Sequence, residues 1–174
     1  MGQQYEQLDK RLTSFIEEQQ MFFVGSAPNE GRVNISPKGM DAFRVLDDST
    51  VAWLNVTGSG NETAAHVLEN GRMTIMFCAY VGKPMILRLY GTAKTYHQYD
   101  AEWDKVHSHF NPIPGTRQVF VLEIDMVQTS CGMGVPLFDY QSQRGLMEKW
   151  AVNKGGDGIK AYWEEKNTRT IDGQ

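Results

Sequence analysis

Two short segments of this 174-residue chain carry residue types suited to holding an anion. The first is Thr57-Gly58-Ser59-Gly60-Asn61-Glu62-Thr63, which leaves an apolar, β-branched stretch and enters a segment of helical composition. A helix N-terminus exposes unpaired backbone N–H groups and partial positive charge, and so attracts phosphate. Gly58 and Gly60 let the backbone approach a ligand closely, while Ser59, Asn61 and Thr63 add side-chain donors. The spacing Ser59-x-x-Glu62 also fits a capping box, which needs no ligand. The second segment is Asn34-Ile35-Ser36-Pro37-Lys38-Gly39, a strand exit. It could present one charged donor to a phosphate, or end in a solvated lysine.

Other residues carry weaker signals. Arg88 alternates with Ile86 and Tyr90 in an otherwise apolar strand. A charge there must be paired internally or reach a pocket. His107-x-His109 has no neighbouring cysteine or carboxylate pair and reads as a solvated helix face, so no metal site is expected. Cys78 and Cys131 lie far apart and form no CxxC pair; they read as buried or partly buried thiols of a cytoplasmic protein. Trp53 reads as core packing. No residue identifies itself as an essential acid or base.

The elements that must position these residues follow from periodicity. Tyr5, Leu8, Leu12, Phe15 and Ile16 recur at helical spacing and predict an amphipathic helix over about 3–19. Residues 21–25 and 32–36 read as strands joined by the turn Pro28-Asn29-Glu30-Gly31, with Pro37 and Gly39 ending the second. Residues 50–56 form a third strand, and Asp47-Asp48 a turn before it. A short helix over 61–70 ends at Gly71. Strands over 72–80 and 85–96 flank the turn Gly82-Lys83-Pro84, a helix covers 100–110, and a sixth strand covers 118–127. From about residue 142 the chain is helical in composition, interrupted at Gly155-Gly156. Six strands with flanking helices imply a mainly β, antiparallel sheet closed into a small barrel.

Composition narrows the functional classes. Hydrophobic residues make up 41% and charged residues 22%, the balance of a globular domain. A net charge of −4 lacks the basic footprint of a nucleic-acid binder. The polar, charged first twenty residues do not resemble a signal peptide, and no apolar run reaches the ~20 residues of a membrane helix.

Taken together, the segments resemble the pyridoxamine 5′-phosphate oxidase-like, FMN-binding split-barrel family. The likeness runs through Phe22-Phe23-Val24, Val33 to Gly39, Val51-Ala52-Trp53-Leu54-Asn55, Thr57 to His66, Glu69-Asn70-Gly71-Arg72 to Phe77, and Arg88-Leu89-Tyr90-Gly91. It implies one six-stranded antiparallel split β-barrel domain over 1–174, with a C-terminal helical extension. It also implies non-covalent FMN lying along Asn34, Ile35, Ser36, Pro37 and Lys38 and along the strand end Leu54, Asn55 and Thr57. The turn Gly58, Ser59, Gly60, Asn61 and Thr63 would hold the phosphate, with Arg88 as a possible further contact. A homodimer with flavin at the subunit interface is implied too.

Two departures bear on the reading. The oxidase proper has an Arg-Lys pair where this chain has Glu62-Thr63, and an arginine where it has Val33, with Arg32 adjacent. The oxidase's C-terminal Arg-x-His substrate signature is also absent, so pyridoxamine phosphate is not the expected substrate. The resemblance points to an FMN-dependent oxidoreductase; its alternatives are a non-enzymatic flavin carrier or sensor, or a deazaflavin- or haem-binding member of the fold.

Overall fold

The computed structural model describes residues 2–173. In chain order the elements are β1 (Gln3–Tyr5), α1 (Lys10–Glu18), β2 (Phe22–Ser26), β3 (Asn34–Lys38), β4 (Phe43–Val45) and β5 (Thr50–Val56). They continue with α2 (Glu62–Asn70), β6 (Arg72–Cys78), β7 (Ile86–His97), α3 (Trp103–His107), β8 (Thr116–Ser130) and α4 (Leu146–Lys166). All eight strands join one antiparallel sheet in the order β3-β2-β6-β7-β8-β5-β4, with β1 paired to β8.

The sheet has eight strands rather than six. The two additional strands, β1 and β4, are three residues long, too short to show alternation. β1 takes residues expected to be helical: Tyr5 pairs with Val127, and α1 begins only at Lys10. The cause is local. Asp9 is extended and its carboxylate accepts from the Leu12 N–H at 2.8 Å, which starts the helix there. Leu12, Phe15 and Ile16 then face the core.

The sheet curls around aromatic residues. Phe43 of β4 lies 4.9 Å from Phe22 of β2 and 5.0 Å from Phe77 of β6, although these strands are far apart in the strand order. Trp53 is fully buried and stacks on Phe120 at 4.5 Å. Face-offset and edge-on aromatic contacts of this kind add to simple area burial.

Two irregularities matter for the site. β5 shifts register against β8 between Asn55 and Val56, which re-aims the chain as it leaves for α2. Pro37 does not end β3; it lies inside that strand opposite Phe23, as an edge position permits.

The helices are shorter or more broken than periodicity alone implies. α2 ends at Gly71 in the left-handed region (φ 71°). α3 covers only five residues. α4 is two helical pieces joined at Gly155, whose φ of 68° and ψ of 169° no helix accommodates. The Trp150 and Tyr162 rings lie 5.2 Å apart. Twelve residues of straight helix would span about 18 Å, so α4 folds back on itself. Cys78 is buried, but Cys131 is exposed because it follows the end of β8. Among the described residues, no helix is long and apolar enough to cross a membrane.

Candidate anion-binding site

Strand alternation sorts the β3 residues. Asn34, Ser36 and Lys38 point into a small cavity of about 210 Å³. Asn55, Gly58, Ser59, Gly60, Asn61 and Thr63 line the same cavity from the end of β5 and the turn into α2. The two sequence segments therefore meet in space, and Asn34 Nδ2 ties them together by donating to Thr63 Oγ1 at 3.1 Å. Pro37, Leu54 and Thr57 open instead into an adjoining, largely apolar cavity of about 840 Å³, which shares Lys38, Asn55 and Gly58 with the first.

The remaining two candidates lie elsewhere. Ile35 is 68% exposed and, with Arg88, lines a groove on the outer face of the sheet. Arg88 donates to Ser130 Oγ at 2.9 Å and does not reach the anion cavity. Among the described residues it forms no salt bridge within 4 Å.

The arginine that does reach the cavity is Arg117, at the start of β8. Only 6% of it is exposed. Its Nη2 donates to Gly60 O at 3.2 Å and its Nη1 to Asn167 Oδ1. The sequence carried the signal that singled out Arg88, a charge at an apolar strand. Arg117 lies one residue before the strand expected from Gln118, and β8 in fact begins at Thr116.

The electrostatics follow from burial. Burial pushes the Lys38 ammonium down to about 8, and the charge of Arg117 adds to the effect. Its Nζ sits 5.3 Å from the centroid of the buried Trp53 ring. Burial likewise pulls Arg117 down to about 10, opposed by Glu62 and Tyr162. Among the described residues neither cation forms an ion pair within 4 Å. Ser36 Oγ, Asn61 Oδ1 and Arg117 Nε are buried without hydrogen-bond partners. Such groups are costly unless something satisfies them.

The turn itself is not self-capped. Asn61, not Ser59, is the N-cap residue of α2, and no side chain caps it. Glu62 does not close a capping box; its Oε1 accepts from the Ile171 N–H at 3.3 Å. Two cations, one carboxylate and orphaned donors thus surround a helix N-terminus, an arrangement whose chemistry suits an anion.

The larger cavity is walled by the segment between β8 and α4. The Phe138 N–H donates to Tyr80 O at 3.0 Å and the two rings meet edge to face. Gln143 donates to Gln20 O at 3.0 Å and accepts from the Met40 N–H at 2.9 Å. His107 is taken up by stacking on Trp103 at 4.8 Å. Among the described residues, no group of three or more His, Cys, Asp and Glu side chains is placed to hold a metal.

Comparison with known proteins gives this geometry a lineage. The family model described as pyridoxamine 5′-phosphate oxidase matches residues 8–131. The chain is 36% identical over 189 residues to the pyridoxamine 5′-phosphate oxidase family protein ustO of Aspergillus flavus, covering 97% of this chain and 75% of that one. A solved structure of a putative pyridoxamine 5′-phosphate oxidase from Lactobacillus delbrueckii superimposes with a TM-score of 0.57 at 19% identity, over 71% of this chain and 94% of that one. HupZ of Group A Streptococcus superimposes with a TM-score of 0.54 at 20% identity, over 68% and 91%. The curled antiparallel sheet is thus the split-barrel fold, and the chain belongs to the pyridoxamine 5′-phosphate oxidase family.

Proposed function

We propose that this chain is an FMN-dependent oxidoreductase of the pyridoxamine 5′-phosphate oxidase family. The observation that carries the reading is the convergence of Lys38, Arg117 and the Gly58–Thr63 turn on one small cavity that opens into a large apolar one. FMN divides the same way, into a terminal phosphate dianion and a broad, mainly apolar ring. The orphaned Ser36 Oγ and Arg117 Nε supply donors for the phosphate. A cavity of about 840 Å³ lies within the usual size of small-molecule sites.

When bound, FMN supplies the redox chemistry, while the protein supplies orientation and electrostatics. Lys38 and Arg117 anchor the phosphate end. Leu54, Pro37 and the Tyr80–Phe138 wall exclude water from the ring end. The small polar cavity joins the large apolar one directly, the layout of a mononucleotide such as FMN.

The proposal includes a homodimer in a cytoplasmic setting, supported by two unpaired thiols and by the exposed apolar Val33 and Ile35 on the outer sheet face. A non-enzymatic flavin carrier is the competing reading, because no catalytic acid or base emerges at the site.

The experiment is to purify the protein, release its ligand by heat and chromatograph the supernatant. FMN is expected; FAD alone, or haem, would overturn the reading. Reduction of the bound flavin by NADH or NADPH and its reoxidation by an acceptor would separate enzyme from carrier.

A further inference from the structure

Residues that lie beyond the 8–131 family match brace the lining of the anion cavity from behind. The second half of α4 runs along the turn. Trp163 Nε1 donates to Thr57 Oγ1 at 2.7 Å, and Thr57 Oγ1 donates to Gly115 O at 2.9 Å. One residue past the helix, the Asn167 side chain makes two bonds. Its Oδ1 accepts from Arg117 Nη1, and its Nδ2 donates to Gly58 O at 3.1 Å. A single amide thus links the buried cation of β8 to the turn before α2. Its orientation is fixed, because only oxygen can face the guanidinium and only nitrogen the carbonyl.

The consequence lies in what remains of Arg117. Nη1 is held by Asn167 and Nη2 by Gly60 O, which stops the guanidinium plane from turning. Nε stays buried and unpartnered in a residue that lines the cavity. Asn167 itself does not line the cavity.

We propose that Asn167 is a positioning residue of the anion site: it locks Arg117 and the Gly58 turn in the geometry that receives a phosphate group. This role rests on the flavin-phosphate reading for its natural ligand, but the chemistry applies to any phosphate monoester. Asn167→Ala removes both bonds and leaves the guanidinium held only through Nη2 to Gly60 O. Asn167→Asp does more, since it places a carboxylate against Arg117 and against Gly58 O, cancelling the charge that the phosphate needs.

The test uses the full chain stripped of ligand. FMN and riboflavin affinities are measured by flavin fluorescence for the parent, Asn167→Ala and Asn167→Asp. FMN should weaken about tenfold in the alanine variant and further in the aspartate variant, the scale of a lost charge-assisted contact. Riboflavin, which lacks the phosphate, should bind all three alike. A merely structural asparagine would lower both ligands together, or neither, and either outcome overturns the proposal.

Inorganic phosphate supplies a flavin-independent arm. It should raise the melting temperature of the parent and fail to raise that of Asn167→Asp. If phosphate protects the parent alone but FMN does not bind, the flavin reading fails and the positioning role stands. If phosphate protects neither protein, or both equally, the positioning role fails.

Discussion

Lys38 pays for its position before any ligand arrives. Its folded-state value of about 8 lies below its ordinary 10.5, so between those pH values the unfolded chain holds more protons than the folded one. Stability of the ligand-free protein therefore rises with pH through that window, and the charged lysine is destabilising at neutral pH. Lys38→Met should raise the neutral-pH melting temperature of the ligand-free protein while weakening FMN about tenfold or more. Parent affinity for FMN should be flat from about pH 6, where the phosphate becomes a dianion, to about 8. Above 8 it should fall as free Lys38 loses its proton, with riboflavin unaffected throughout; titrations at several pH values read this directly. Glu62 works in the opposite direction, a carboxylate lining the same cavity. Glu62→Gln keeps the acceptor for Ile171 and should tighten FMN several-fold without changing riboflavin. Of these residues Lys38, Ser59, Asn61 and Thr63 were legible in sequence, because strand exits and Gly-rich turns into helices have local signatures. Arg117 and Asn167 were not. They reach the site from 50 or more residues away, and only the folded sheet brings them there.

At the scale of elements, the longer strands and α2 were legible because burial imposes a period on them and glycine punctuates their ends. β1 and the true start of α1 were not. The helical spacing of Tyr5 and Leu8 continues that of Leu12, but the Asp9 cap starts the helix later and pairing with β8 takes up the residues before it. Arg88 shows the same limit at a strand: its apolar neighbours are legible, but which face it joins depends on register. Register itself hangs on Gly91, where β7 slips against β8. A Cβ built there would lie 1.9 Å from the Glu123 carbonyl oxygen. Overpacking in a well-packed region typically costs 1–3 kcal/mol, and a clash with backbone more, so Gly91→Ala should lower stability by at least about 3 kcal/mol in urea unfolding. A stability loss under 1 kcal/mol would mean the sheet can shift its bulge.

At the scale of the whole molecule, the outer face formed by β3, β2, β6 and β7 carries Val33 and Ile35, each 68% exposed, beside Met76, Tyr90 and Arg88. A second copy of this chain is the occupant proposed for it. Light scattering should give twice the chain mass of 19.7 kDa, and Ile35→Glu should shift that toward the single chain. A monomer that still holds flavin would remove the dimer from the proposal. Pro37 limits how two copies can join. It sits in β3, the last strand at one end of the sheet, where a newcomer would seek a ladder of N–H donors. Proline has none to offer. That rim is a poorer template for strand addition, and so for the open-ended, fibril-forming growth that an unprotected edge invites.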